Sequence, residues 1–454
     1  MSTGEKTAAV EPAVLAELSE FLAIPSISAD PARAGDVRAA GSWICSYIRR
    51  AGGAAELIDW HGQPLAIGEI PASVAAVEAP TVLVYGHFDV QAPEPLDAWE
   101  SPPFEATVRD GWLYGRGTAD DKGQLYLLLR AGAELAAERA LPVNVRVCCD
   151  GEEETGGHSI VDFLRLDTRP VDACVIFDTA MPARGLPAFV VATRGLAFFR
   201  LRARTGERDL HSGVYGGAAL NALHALIQSL GAILPHNGRL PEALRAGVAA
   251  PTAAELADWT ALPAGDDALG EAGTVAADDA AGAELYLRTW AEPSLDLHGI
   301  AGGATAQKTI VPAAAEAAFS IRIVPDQQVR VVAEAVERLL RAEAPTGARL
   351  ELELVAATPP AVVRADSRAI QFGLDAFQRA LGVRPRLVRS GGSLPVVSAL
   401  QQRGVPAIVT GFDVPNGNIH APNERLLLEH VPLGIAAARE LFVALRALPT
   451  RSAG

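Results

Sequence analysis

Apolar positions recur along this chain at two different spacings, and the change from one to the other divides it. Between Ala13 and Ala23, Leu15, Leu18 and Leu22 fall three and four residues apart, which makes one helical face, and Pro25 stops the run. Val37 to Arg50 repeats the spacing with Trp43, Ile44, Tyr47 and Ile48 and ends at Gly52-Gly53, a C-terminal cap, so the first 60 residues read as helices. Thr81–Tyr85, Val143–Cys149 and Cys174–Phe177 are short, apolar throughout and rich in β-branched residues, as strands covered on both faces are. A Leu- and Ala-rich helical pattern from Gln124 to Arg139 separates the first two. This alternation predicts an α/β domain whose mixed, largely parallel sheet carries helices on both faces.

From about Gly195 the period becomes two. Ala197–Ala203, Phe319–Ile323 and Leu350–Leu354 alternate apolar with polar residues, which predicts strands solvated on one face. Ala218–Leu230 and Val329–Glu343 read as helices, and after Pro359-Pro360 the buried pattern returns at Val405–Thr410. The simplest organisation is an α/β domain of residues 1–195 and 359–454, split by an inserted α+β domain of residues 196–358. Residues 245–285, rich in Ala, Gly and Asp, have weak periodicity and match no motif.

Composition removes several classes of function. The 454 residues hold 54 acids against 39 bases, a net charge of −15, which argues against a nucleic-acid partner because phosphate neutralisation needs clustered Lys and Arg. Four cysteines (Cys45, Cys148, Cys149, Cys174) form no CxxC pair, so neither a disulfide scaffold nor a cysteine-based zinc site is expected. The N-terminus lacks a signal-like apolar stretch, and no run nears the roughly 18 apolar residues of a membrane helix. A cytoplasmic protein with no membrane partner is therefore expected. The use of 36 arginines but three lysines, with abundant Ala, points to a GC-rich bacterial gene.

The candidate chemistry sits where strand-like runs end. His87 and Asp89, two apart, point to one side of an extended strand. Asp120-Asp121 lie in Gly115-Arg116-Gly117-Thr118-Ala119-Asp120-Asp121-Lys122-Gly123, just before a helix, with no Walker ending. Glu152-Glu153-Glu154 follow a buried run between glycines, Asp178 closes Cys174–Phe177, and His420 precedes Ala421-Pro422-Asn423-Glu424. Singly, each is as well explained by a solvated charge or a helix cap. Together they place five sites of His, Asp or Glu at strand ends, the edge where open α/β sheets bind ligands.

The segments YGHFDVQ, GRGTADDKG, GEEETGG, DLHSG and IHAPNE, in this order and spacing over nearly the whole chain, resemble the M20 family of dinuclear metallopeptidases. RDLHSGVYGG and SLDLHGIAGG…KTIVP…FSIRIVP most resemble its carnosinase-like, cytosolic nonspecific dipeptidase branch. The resemblance implies a zinc-peptidase-like catalytic domain with an inserted lid and dimerisation domain. It implies two divalent ions, zinc first with manganese or cobalt as alternatives, one held by His87, Asp120 and Asp178 and the other by Asp120, Glu154 and His420. Asp120 would bridge them, Asp89 would orient the His87 ring, and the Asp120–Asp121 peptide would be cis. Glu153 would be the general acid/base for hydrolysis of a dipeptide amide by a water between the metals. His211 would reach across a homodimer interface to the oxyanion, Arg322 would clamp the substrate carboxylate, and Thr309 with Gly391, Gly392 and Ser393 would add contacts. Two readings stay open beside this one: an N-acyl-amino-acid deacylase of the same fold, and a non-catalytic metal- or peptide-binding paralogue. His61, His158, His224, His236, His298 and His430 read as structural or surface residues.

Overall fold

The computed structural model describes residues 10–73, 79–304 and 308–450. The extreme N-terminus, read above as lacking a signal segment, lies outside them. The chain divides into two compact units, one of Met1–Val191, Val363–Val388 and Ala399–Gly454, the other of Ala192–Val362 and Arg389–Ser398. The segment 389–398, which carries Gly391-Gly392-Ser393, thus belongs to the second unit although it falls within the stretch 359–454.

The first unit is built on a six-stranded sheet. Its strands are β1 (Ala54–Trp60), β2 (Gln63–Ile70), β3 (Thr81–His87), β4 (Asn144–Asp150), β5 (Ala173–Phe177) and β6 (Ala407–Thr410), in the order β1-β2-β4-β3-β5-β6. The run β4-β3-β5-β6 is parallel, and β2 pairs antiparallel with both neighbours. All seven residues of β3 are buried, as their continuous apolar run requires. The β1–β2 hairpin corrects the reading of the first 60 residues as helical. Its turn, His61-Gly62, has both φ angles positive (53° and 87°), the two-residue geometry that matches strand twist. Helices α1 (Pro12–Leu22) and α2 (Ala34–Arg50) form where the apolar spacing places them.

Helix α3 (Lys122–Ala137) buries Leu125, Leu127, Leu128 and Leu129 completely, as a helix enclosed on all sides does. Two further helices, α4 (Arg368–Leu381) and α5 (His430–Leu445), pack on each other, and α3 packs on α5. No described helix is long and apolar enough to cross a membrane.

The second unit has a four-stranded antiparallel sheet in the order Ser294–Gly302, Ala314–Ile323, Gly195–Arg204, Arg349–Thr358. Ala197, Phe199, Leu201 and Ala203 form its buried face, and Phe199 stacks on its register partner Phe319 at 5.1 Å. Helices Ala222–Gly231 and Val329–Ala342 cover that face with Leu226, Leu230, Val332, Val336 and Leu340. The first starts four residues later than the apolar pattern because Asn221 caps it, its side chain accepting from the Leu223 and His224 N–H groups. Residues 245–285 form two short helices, Ala253–Trp259, with a Thr252/Glu255 capping box, and Gly265–Glu271.

Strand β3 meets α3 closely at Gly86. A Cβ there would lie 2.6 Å from Asp121 Oδ2 and 2.9 Å from Leu125 Cδ1. Gly86→Ala is therefore expected to lower stability by about 1–3 kcal/mol through overpacking. Gly35→Ala in α2, with nothing within 4 Å of the new methyl, should gain about 0.5–1 kcal/mol. Urea unfolding midpoints of the two variants test the contrast, and equal shifts would contradict it.

Candidate metal centre

Because β4, β3, β5 and β6 are parallel, their C-terminal ends share one edge. His87 is the last residue of β3 and stands in register with Asp150, the last of β4. Tyr85 pairs with Ile176, which brings Asp178, just beyond β5, level with His87. The turn Glu153–Thr155 follows β4 directly. Asp120 arrives from the loop entering α3, and His420 from the loop between β6 and Arg425–Leu427, a short strand paired with Trp112–Tyr114. Five chain segments thus deliver acids and imidazoles to one place.

Asp120 is the hub. Its Oδ1 lies 2.9 Å from His87 Nε2 and its Oδ2 2.9 Å from His420 Nε2. His420 Nε2 is also 3.1 Å from Glu154 Oε2, and His87 Nε2 is 3.9 Å from Asp178 Oδ1. Asp89, fully buried, lies 3.4 Å from His87 Nδ1 and accepts the backbone N–H groups of Glu153 (3.2 Å) and Glu154 (3.1 Å). One carboxylate thereby fixes both the ring and the acidic turn. The Asp120–Asp121 peptide is cis. Donor atoms of His87, Asp120 and Glu154 fall within 4.8 Å of one another, and so do those of His87, Asp121 and Asp178.

The electrostatics fit cations. Burial, reinforced by neighbouring carboxylates, pushes the Asp178 and Asp121 carboxyls well above the usual range, and burial raises Glu153 as well. Burial opposes charge on His87, yet Asp120, Asp89 and Asp178 outweigh it and hold the imidazole well above its ordinary pKa. His420 is raised to about 10, chiefly by its bonds to Asp120 and Glu154. Among the described residues the ion-pair partners of Asp120 and Glu154 are these imidazoles, with no lysine or arginine. Glu154 Oε1 and Asp121 Oδ1 are buried without a hydrogen-bond partner. Unpaired buried carboxylate oxygens beside imidazole nitrogens form an oxygen–nitrogen donor set that suits zinc, manganese or cobalt. The four cysteines are buried, and none belongs to either candidate metal group.

The family model of Peptidase family M20/M25/M40 matches residues 83–444. The chain belongs to this family. Cysteinylglycine-S-conjugate dipeptidase of Corynebacterium striatum is 30% identical over 452 residues, covering 93% of this chain and 94% of that protein. Beta-Ala-His dipeptidase of Mus musculus is 28% identical, covering 84% of this chain and 81% of its own length. Among solved structures, the M20 family metallo-carboxypeptidase Sso-CP2 from Sulfolobus solfataricus shares the fold, with a TM-score of 0.84 at 24% identity over 96% of this chain and 100% of that one.

The other residues that the sequence marks as candidates lie in the second unit of this M20 peptidase. Leu210 and His211 pair with Val311 and Ile310, which sets Thr309 beside His211; the Thr309 carbonyl accepts from Ser212 N–H at 3.1 Å. His211 is exposed, and its Nδ1 accepts from Gly213 N–H at 3.0 Å, so the ring's proton is on Nε2. Arg322 donates to Ser393 Oγ at 3.1 Å, while Gly392 N–H donates to Ser390 Oγ. Sequence reasoning passed over Arg194, a buried arginine that donates to the Gly391 carbonyl at 3.0 Å and to Ser294 Oγ at 3.1 Å. It also gave no role to Gln91, which donates to Glu154 Oε2 at 2.9 Å, or to Asp121, whose Oδ2 accepts the His87 N–H. Asp121 had a signal, its place in an acidic pair; Gln91 and Arg194 had none.

A proton consequence follows from the imidazoles. The Asp120 and Glu154 carboxylates raise the His420 imidazole to about 10 and so favour its protonated form at neutral pH, whereas a metal needs the neutral ring. Metal uptake should therefore release protons, and apparent affinity should fall as pH drops below about 10. Calorimetric titrations in buffers of different ionisation enthalpy measure the release, and enthalpies independent of buffer would refute it.

Proposed function

We propose that this protein is a dinuclear metallodipeptidase. The observation that carries the reading is Asp120, whose two oxygens each face a different imidazole at 2.9 Å, as a carboxylate shared by two ions must. His87 and Asp178 would complete one ion's ligands, Glu154 and His420 the other's, with zinc as first choice and manganese or cobalt as alternatives. Two such ions, when bound, would supply Lewis acidity towards the scissile carbonyl and a water. Glu153 takes the proton of the attacking water and returns it to the leaving amine, and its burial favours holding that proton in between. Asp89 keeps the His87 ring and the Glu153–Glu154 turn in place through the contacts described above.

Support for a dipeptide rests on the substrate's terminal carboxylate. Arg194 and Arg322 lie in the second unit. Burial, with the repulsive Arg322 charge, lowers Arg194 to about 10, and burial lowers Arg322 as well. Two partly desolvated guanidinium groups favour an anion, and Arg322 with Ser393 offers the donors for a carboxylate. The names of the two relatives, both dipeptidases, agree. In a homodimer, His211 of one subunit would donate its Nε2–H to the oxyanion formed in the other. A cytoplasmic location completes the reading, as does the division into a split catalytic domain and an inserted lid and dimerisation domain.

Glu153→Gln should lower kcat at least about 100-fold while two ions per chain remain bound by elemental analysis. Arg322→Ala should raise KM for dipeptides by about 10–100-fold, the value of a lost charged hydrogen-bond pair. Rates on dipeptides beside N-acetyl and N-succinyl amino acids test the substrate class, and hydrolysis confined to the acyl compounds would overturn the dipeptidase reading.

A further inference from the structure

The carboxylate of Glu424 lies outside the ligand set yet carries more hydrogen bonds than any ligand. It is completely buried. Its Oε1 accepts the backbone N–H groups of Ala119 at 2.9 Å and of Asp120 and Gly117 at 3.1 Å. Its Oε2 accepts Gly117 N–H at 3.1 Å and Arg116 Nη1 at 2.6 Å. Gly117, at φ 85°, turns the loop so that its N–H and those of Ala119 and Asp120 converge on one anion, a backbone nest. The Glu424 carbonyl in turn accepts Gly115 N–H at 3.0 Å.

Both loops so joined carry ligand-type residues. One side of the nest is the backbone of Asp120, whose side chain faces both imidazoles. The other is the turn that holds His420, four residues before Glu424, where His420 and Asn423 have positive φ. Gln124 adds a second tie, donating to the Ala119 carbonyl at 2.7 Å and accepting Phe412 N–H at 2.6 Å. Arg116 offsets the Glu424 charge locally, so the anchor adds no uncompensated negative charge to the carboxylate cluster.

We infer that Glu424, with Arg116, is a positioning residue that sets the Asp120 carboxylate against His420 and so fixes the geometry and affinity of the metal pair. The inference rests on the metal-centre reading of the proposed function. A partner one step removed from a metal typically changes affinity or activity about 10–100-fold when altered. Because Asp120 faces both imidazoles, the loss should reach both ions.

The test loads the full-length protein with Co2+ and reads affinity by chelator competition and geometry by the visible d–d spectrum. Glu424→Gln should weaken Co2+ binding about 10–100-fold and change the band positions or intensities, and it should lower kcat with KM held within about twofold. Arg116→Lys, which leaves the backbone nest intact, should shift affinity in the same direction by a smaller factor. It decides the matter if Glu424→Gln does not fold. A folded variant with wild-type Co2+ affinity and spectrum overturns the inference whatever its melting temperature, because a merely structural role moves only the latter. A wild-type protein that binds two Co2+ ions but cleaves no dipeptide would instead sink the dipeptidase reading and leave this one standing.

Discussion

Like charges buried together at one sheet edge are the constraint on which the site depends. Asp89, Asp120, Glu154 and Asp178 gather about two imidazoles, and two carboxylates 4 Å apart repel by about 4 kcal/mol even at an effective dielectric constant near 20. Three forms of relief are present. Backbone N–H groups converge on Asp89, imidazoles flank Asp120, and burial drives Asp121 and Asp178 towards the protonated form. None of them reaches Glu154 Oε1, which stays buried and unpaired. Divalent cations would balance the charges these carboxylates carry once deprotonated, and that charge balance ties the convergence of parallel strand ends to peptide-bond chemistry.

Cations relieve that repulsion only if the carboxylates are held where ions can sit between them. Rigid elements do part of this: β3 and α3 meet at Gly86 with no room for a methyl group. The loops lack that support and are held by polar anchors instead. The Glu424 nest, the Gln124 amide and the pairing of Arg425–Leu427 with Trp112–Tyr114 all link the loop before α3 to the segment after β6. A buried ion pair such as Arg116–Glu424 gains little net stability once desolvation is counted. Its value is geometric, since an acceptor of fixed position orders several donors at once.

The sequence made the strands and the ligand-type residues legible for one reason: a buried strand is a short apolar run, and the residue that ends it is visible. His87 and Asp178 were found that way. The β1–β2 hairpin was missed although His61-Gly62 between alternating runs was a readable turn signal. Glu424 stood inside a recognised segment and received no role, because its partners other than Arg116 are backbone N–H groups more than 300 positions away along the chain. Backbone donors leave no mark in residue type. Arg194 was invisible for the same reason, its acceptors including the Gly391 and Glu292 carbonyls.

Residues 245–285 show another kind of illegibility. Their order does not come from an amphipathic face, so no period appears. Charge pairs hold them: Arg245 forks onto Glu292, Arg239 joins the same carboxylate at 3.2 Å, and Arg288 forks onto Asp278. Within the second unit Glu255 pairs with Arg389 at 2.7 Å, and Trp259 lies under the same guanidinium. Arg389 opens the segment that carries Gly391 and Ser393, and the Thr289 carbonyl lies 3.0 Å from where a Gly391 side chain would begin. A stretch of weak periodicity therefore braces the loop beside Arg322. Such pairs stabilise weakly one by one, so the bracing depends on several acting on one loop.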